Sequence, residues 1–98
     1  MYEGSRLVAD FTRVSFSVGG KPIRLTRREF LILRDLIANQ NQVMSRRQLI
    51  DRLWPDDQLV DNRSVDVHVG GLRAKLGSAA RQIETVFGVG YRFVPEPS

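Results

Sequence analysis

Few residues of this 98-residue sequence have the types and spacing that catalysis requires. His68 is the only histidine and cysteine is absent, which excludes a histidine-rich or cysteine-based metal site, a thiol nucleophile and a disulfide. No serine lies in a Gly-x-Ser-x-Gly elbow, so a hydrolase that uses His68 stays an alternative without a supporting motif. Gly88-Val89-Gly90 precedes no helical pattern and therefore differs from a phosphate-binding loop. We expect neither enzymatic activity nor a cofactor.

Residues 63–76 have the clearest pattern for binding. Val65, Val69, Leu72 and Leu76 recur at helical spacing and predict a narrow apolar stripe. The opposite face carries Arg63, Val67, Gly70, Gly71 and Ala74, with Ser64, His68 and Lys75 along one flank and Asp66 and Arg73 along the other. An outward valine and a Gly-Gly pair, which costs about 2 kcal/mol of helix propensity relative to alanine, are unusual for a plain surface helix.

Two functions account for this outward face. In a major groove of DNA, Arg63 and Ser64 could meet phosphates or base edges. Val67 could pack on a thymine methyl group, and His68 could donate to an acceptor. Glycine and alanine also permit close approach of another helix, so a protein contact is the alternative. The spacing leaves both open.

The rest of the chain must position this helix. Residues 7–9, 13–18 and 21–25 are candidate strands, and Gly19-Gly20 suits a two-residue hairpin turn. A capping box of Thr26 and Glu29 predicts a helix over residues 27–38. A second capping box at Ser45 opens another helix, which ends before Pro55.

The remaining signals complete the fold prediction. Asp61 or Asn62 caps the third helix and Gly77 stops it. Residues 82–87 and 91–94 then read as strands joined by Gly88-Val89-Gly90. We therefore predict an α+β fold: a winged helix-turn-helix with an N-terminal antiparallel sheet, a three-helix core and a C-terminal β-hairpin wing.

Composition agrees with one small basic domain. Fifteen Lys and Arg against eleven Asp and Glu give a net charge of +4, which favours nucleic acid as a partner. The last part, residues 61–98, holds only five basic and four acidic side chains.

No apolar run is long enough to span a membrane and the N-terminus lacks the pattern of a signal peptide, so we expect a cytoplasmic protein. Residues 1–5 are expected to be a linker or a disordered start, 6–95 the domain and 96–98 a tail.

The chain resembles the OmpR/PhoB-type DNA-binding domain from about residue 6 to residue 94. The motifs that carry the resemblance are Leu25-Thr26 with Glu29-Phe30, Ser45-Arg46 with Gln48-Leu49, Leu53-Trp54, Ser64-Val65-Asp66-Val67-His68-Val69, Leu72-Arg73-Ala74-Lys75-Leu76, Thr85-Val86 and Gly88-Val89-Gly90-Tyr91-Arg92-Phe93.

The resemblance implies the effector domain of a two-component response regulator, which binds promoter DNA, as a dimer on tandem half-sites, and controls transcription. In this family a phosphorylated receiver domain normally precedes the effector domain. Here the chain starts at Met1, and residues 2–5 would fit an interdomain linker. We therefore expect an excised domain, with a free-standing protein as the alternative.

The resemblance also implies roles for particular residues. By position, Arg63, Ser64, Val67, His68 and Arg73 would contact the groove and phosphates, Arg46 and Arg47 the DNA backbone, and Thr85 and Arg92 would belong to the wing. Gly71 and Lys75 complete the expected DNA interface. The loop over residues 55–62, with Asp56, Asp57 and Gln58, resembles the segment that touches RNA polymerase in activating members, although adjacent acids after a proline are also typical of a solvated turn.

This sequence departs from the family pattern at three positions. Many members carry basic or polar residues in place of Gly70 and Gly71, and often an arginine in place of Phe87. Each lost phosphate contact should flatten the salt dependence of binding by about 0.9 in log–log slope. The alternative function is therefore a winged-helix protein-interaction or dimerisation module with weakened DNA binding.

Overall fold

The computed structural model describes residues 1–56 and 60–95. Its elements are, in chain order, β1 (Tyr2–Glu3), β2 (Leu7–Asp10), β3 (Ser15–Val18), β4 (Lys21–Ile23), α1 (Arg27–Ala38), β5 (Met44–Ser45), α2 (Arg46–Leu53), α3 (Asn62–Leu76), a 3₁₀ helix (Gly77–Gln82), β6 (Ile83–Val86) and β7 (Gly90–Phe93). This order confirms the predicted α+β winged helix-turn-helix.

The N-terminal sheet is antiparallel, with the strand order β1-β2-β3-β4. Leu7 and Ala9 of β2 and Phe16 of β3 are buried, because alternate residues of a strand face the same side. Gly19 and Gly20 join β3 to β4 with φ angles of 58° and 80°, as a tight hairpin turn requires. The predicted turn is therefore confirmed.

Strand β3 is shorter than the strand predicted over residues 13–18. The Asp10 Oδ1 atom accepts hydrogen bonds from the backbone N–H groups of Thr12 and Arg13, both at 3.1 Å, and turns the chain there. Val14 completes the turn with a φ of 53° and an exposed side chain. Val14 extended the alternating apolar pattern of the predicted strand, but its side chain lies outside the core.

The segment 1–5, which was expected to be a linker or a disordered start, contributes strand β1 to the N-terminal sheet. Tyr2 pairs with Ala9 in the β1–β2 register. The Tyr2 ring meets the Phe93 ring edge-on at a centroid distance of 5.0 Å, and its hydroxyl accepts a hydrogen bond from Gln82 Nε2 at 2.9 Å. A two-residue strand has no period for a sequence to display. The tail at 96–98 lies outside the described residues.

The three long helices begin at the predicted caps. Thr26 Oγ1 accepts from the Glu29 N–H, and the Glu29 carboxylate accepts from the Thr26 N–H at 2.8 Å. Ser45 and Gln48 form the same reciprocal pair at α2. Of the two candidates at α3, Asp61 is the cap, since its side chain accepts from two backbone N–H groups of the first turn.

The C-terminal hairpin belongs to a three-stranded sheet with the order β5-β7-β6. The two-residue strand β5 was not predicted. Gly90 pairs with Ser45 in this sheet, and a side chain at position 90 would collide with the backbone of Met44. Glycine at this position therefore allows β5 to lie close to β7, which joins the hairpin to the start of α2.

Helix α3 directs its apolar stripe into the core. Val65, Val69, Leu72 and Leu76 are at most 1% exposed, so the predicted stripe is confirmed. These side chains share one hydrophobic cluster with buried residues of α1, α2 and both sheets. Burial of this side leaves the opposite face and the two flanks of α3 for other contacts.

Candidate nucleic-acid interface

The side of α3 opposite the stripe is open to solvent. Arg63, Val67 and Gly70 are exposed there, and the Val67 side chain is 70% exposed. A side chain at Gly70 would meet no atom within 4 Å. Arg63 forms no ion pair with any residue of 1–56 or 60–95. We call Arg63, Val67 and Gly70 the open face.

The first turn of α3 lies beside this open face. Asp61 Oδ1 accepts hydrogen bonds from the backbone N–H groups of Arg63 at 3.1 Å and Ser64 at 3.3 Å. Ser64 is half-buried at the edge of the open face. The cap therefore satisfies these two backbone donors within the protein, so Arg63 and Ser64 could contact an external partner only through their side chains.

His68 leans towards the end of α2. Its ring lies 5.6 Å from the Trp54 ring, and the Arg28 guanidinium lies 4.5 Å above the same Trp54 ring. Trp54 caps α2 immediately before Pro55, where the sequence predicted that helix to end. His68 is half-buried, so only part of the imidazole is available outside the protein.

One flank of α3 faces α1. Lys75 Nζ lies 2.6 Å from Glu29 Oε1, and a Cβ atom at Gly71 would lie 2.7 Å from Glu29 Oε2. Burial raises the pKa of Glu29, but hydrogen bonds from Lys75 and Thr26 and the Lys75 charge outweigh that effect, so the pKa lies below its ordinary value. Gly71 was expected on the outward face beside Gly70. It lies instead at the edge towards α1, and we call Gly71 and Lys75 the α1 flank.

The other flank faces the hairpin. The Arg73 guanidinium donates to the Ile83 carbonyl oxygen at 2.7 Å and to Thr85 Oγ1 at 2.8 Å. It also lies 5.4 Å from the Tyr91 ring centre. Arg73 and Thr85 were both expected to touch DNA, and in this structure they contact each other.

Asp66 connects this hairpin-facing flank to α2 and β7. Its Oδ1 atom accepts from Arg46 Nε at 2.8 Å and from the Tyr91 hydroxyl at 2.5 Å. Burial raises the pKa of Asp66, but both hydrogen bonds and the Arg46 charge lower it below its ordinary value. The Arg46 guanidinium lies 5.7 Å from the Tyr91 ring centre. We call Arg46, Asp66, Arg73 and Tyr91 the Tyr91 cluster.

Two further expected arginines form ion pairs with acidic side chains. Arg47 pairs with Asp51 one turn along α2 at 3.3 Å, and both side chains are largely exposed. Arg92 pairs across the hairpin with Glu84 at 2.6 Å. The Arg92–Glu84 pair is half-buried. An exposed pair such as Arg47–Asp51 contributes about 0–1 kcal/mol, so Arg47 could exchange its partner for a phosphate at little cost.

The structure therefore divides the predicted residues into groups. Arg63, Ser64 and Val67 are together at the start and centre of the open face. Arg46, Arg73, Thr85 and Lys75 are occupied by contacts within the domain. Gly71 lies where an added side chain would meet the Glu29 carboxylate. Asp56 is exposed, whereas Asp57 and Gln58 lie outside the described residues.

Sequence reasoning gave no role to Asp66 or Tyr91. Their neighbours come from elements 20 and 25 residues away along the chain, which no short-range pattern displays. One signal was available: Asp66 and Arg73 lie two helical turns apart on one flank and carry opposite charges. Such a flank indicates a polar neighbour rather than open solvent.

Two other kinds of site were searched for in the described part of the chain. Within 1–56 and 60–95, no three His, Asp or Glu side chains are grouped so that they could hold a metal ion. Over the same part of the chain, no helix is long and apolar enough to cross a membrane.

Comparison with known proteins identifies the family. The sequence pattern described as "Transcriptional regulatory protein, C terminal" matches residues 20–93. The chain belongs to this family. The sensory transduction protein RegX3 of Mycolicibacterium smegmatis is 41% identical over 86 residues, which are 85% of this chain and 38% of that protein.

Solved structures agree with this membership of the transcriptional regulatory C-terminal family. The response regulator DrrB of Thermotoga maritima, an OmpR/PhoB homologue, has a TM-score of 0.86 at 33% identity over 95% of this chain and 43% of that one. The Klebsiella pneumoniae RstA DNA-binding domain, crystallised in complex with the RstA box, has a TM-score of 0.83 at 30% identity over 97% of each chain.

These matches confirm the resemblance to the OmpR/PhoB type. The chain is a winged-helix DNA-binding domain of the kind found in two-component response regulators, and this family is not one of enzymes. It spans 38% of RegX3 and 43% of the DrrB chain, so it corresponds to one domain of these longer relatives.

Proposed function

We propose that this domain recognises promoter DNA by inserting the open face of α3 into the major groove. The observation that carries the proposal is the 70% exposure of Val67 on the side of α3 opposite the buried stripe. Val67 would pack against a thymine methyl group, Arg63 would reach a phosphate or base edge, and Gly70 would let the helix axis approach the duplex. The RstA domain, which has the same fold and was crystallised with DNA, supports this arrangement.

The neighbouring polar groups would fix the position of the domain on the duplex. Ser64 and His68 would contribute at the edge of the open face, and Arg47 would contact a phosphate from the first turn of α2. Arg73 and Thr85 would support the hairpin, with little direct contact of their own. Arg92 would reach DNA only after leaving Glu84.

The longer relatives suggest a wider setting. The domain would act as the effector part of a response regulator in the cytoplasm, controlled by a phosphorylated receiver domain and bound as a dimer to tandem half-sites. The loop that follows α2, with Asp56 exposed at its start, would contact RNA polymerase at activated promoters.

A selection experiment followed by matched variants tests the proposal. Sequences bound by the domain are selected from a random DNA pool, and their affinities are measured by fluorescence anisotropy. Val67→Glu should abolish binding to the selected sequence, because a carboxylate would face the bases and phosphates. Val14→Glu adds the same charge at another exposed valine, in the β2–β3 turn, and should leave most of the affinity. Equal affinities of the two variants would reject the open face as the recognition surface.

A second candidate function rests on the hairpin tip. Phe87 is 91% exposed and Val89 is 51% exposed, and such apolar side chains also occur where a protein partner docks. This alternative is a protein-interaction or dimerisation module with weakened DNA binding. It predicts a concentration-dependent dimer without DNA, measured by sedimentation, that Phe87→Ser disrupts.

A further inference from the structure

An acidic side chain lies beside the open face, paired with groups of the domain itself. Asp66 is half-buried on the adjoining flank of α3, one residue before Val67. Its Oδ1 atom accepts from both Arg46 Nε at 2.8 Å and the Tyr91 hydroxyl at 2.5 Å. One carboxylate oxygen therefore holds α3 to α2 and to β7.

The Tyr91 ring completes the connection between these elements. The Arg46 and Arg73 guanidinium groups lie 5.7 Å and 5.4 Å from its centre, and Arg73 also donates to Ile83 and Thr85 of β6. The Tyr91 cluster thus joins the α3 flank, the first residue of α2 and both strands of the hairpin. Tyr91 itself is buried in the central strand of its sheet, which gives the cluster a rigid base.

Groups held in this way have little freedom to rearrange when DNA arrives. A recognition surface binds more selectively when its parts are already in the bound arrangement, because less conformational freedom is lost on binding. A carboxylate that neutralises Arg46 also reduces the attraction of that arginine to any phosphate, whatever the sequence. Both effects favour selective over non-selective binding.

We propose that Asp66 and Tyr91 are positioning residues for DNA recognition, which fix Arg46 and the hairpin relative to the open face and so set the preference for the target sequence over other DNA. This proposal rests on the function proposed above. It assigns the selectivity of the domain partly to residues that need not touch DNA.

The test compares two affinities for each variant. Asp66→Asn and Tyr91→Phe are titrated by fluorescence anisotropy with the selected sequence and with a scrambled duplex of the same length and composition. Asp66→Asn should lower the ratio of the two affinities about tenfold, mainly by weakening the selected complex. Tyr91→Phe removes one hydroxyl without changing charge and should lower the ratio about threefold.

Asp51→Asn is the matched control. Asp51 is an exposed acid that pairs with Arg47 of α2, so its replacement removes the same charge from a neighbouring arginine. We expect both affinities to rise together in this variant, with an unchanged ratio. Thermal unfolding followed by circular dichroism determines the folded fraction, and Tyr91→Phe decides the matter if Asp66→Asn does not fold.

Two results would overturn the proposal. If Asp66→Asn behaves like Asp51→Asn, the carboxylate acts only as a counter-charge. If the two affinities of Asp66→Asn or Tyr91→Phe fall in equal proportion, the cluster contributes to stability alone. A wild-type domain that does not distinguish selected from scrambled DNA would instead reject the proposed function, so the two failures are separate.

Discussion

The open face of α3 and the flank that faces the hairpin both carry an arginine, but the two arginines have different surroundings. Arg63 on the open face forms no ion pair with the described residues, whereas Arg73 on the flank donates to Ile83 and Thr85. Both were expected to contact DNA. Residue type and spacing therefore show where a cation lies along the helix, and the fold decides whether its hydrogen-bond donors are already used.

The sharpest contrast is between the buried stripe and the open face. Leu72→Ala should lower the free energy of unfolding by about 3 kcal/mol, because Leu72 is fully buried and its truncation leaves a cavity. Val67→Ala should change it by less than about 0.5 kcal/mol while weakening binding to the selected DNA. Urea unfolding followed by circular dichroism measures both. A large destabilisation by Val67→Ala would mean that the open face is part of the core.

The features that followed from sequence are those decided within a few residues. The stripe of α3 follows from helical spacing, and the caps of α1 and α2 from reciprocal pairs such as Thr26 with Glu29. Strands β1 and β5 were not predicted. Each has only two residues, which is too short to show an alternating pattern, and each pairs with a strand elsewhere in the chain. The predicted start of β3 was wrong at Val14, because a local turn outweighed the strand propensity of valine.

The interface was less predictable than the fold, for a physical reason. Lys75 has its partner 46 residues earlier in the sequence, and the rotation of about 100° between adjacent helical residues separates Gly70 in open space from Gly71 beside Glu29. Such contacts depend on how helices pack, which local spacing does not specify. The family resemblance predicted which positions belong to the interface. It did not predict which of these side chains contact other residues of the domain.

The two kinds of arginine can be separated by measurement. Arg73→Ala should lower the free energy of unfolding by about 2 kcal/mol, because it removes charge-assisted hydrogen bonds to β6. Arg47→Ala should cost less than about 0.5 kcal/mol, since its exposed pair with Asp51 is weak. In DNA titrations, Arg47→Ala should instead reduce the log–log salt slope by about 0.9. The reverse assignment of these effects would contradict the division of the arginines.

Adding a charge to the open face sharpens the same comparison. Gly70→Arg should strengthen DNA binding and steepen the log–log salt slope by about 0.9, because the new side chain would extend from the open face into unoccupied space. Gly70→Ala is the control, since it supplies the gain in helix propensity of about 1 kcal/mol without the charge. Anisotropy titrations at several salt concentrations that show equal slopes for both variants would exclude this position from the DNA interface.

The smallest expected effect concerns the α1 flank and depends on pH. Glu29 has a pKa lowered from the ordinary value of 4.5, so it contributes stability above that value. This contribution is lost as the pH falls through the lower pKa of the folded state, because protonation removes the charge that Lys75 and Thr26 stabilise. The stability difference between the wild type and Glu29→Gln should therefore be constant near neutral pH and shrink below pH 4.5.

Because Asp66 also has a lowered pKa, the stability of Asp66→Asn is measured over the same pH range to separate the effects of the two acids. If unfolding curves of the wild type and Glu29→Gln kept a constant separation down to pH 2, about two and a half units below the ordinary pKa of 4.5, the α1 flank would be held by packing around Gly71 rather than by the charge of Glu29.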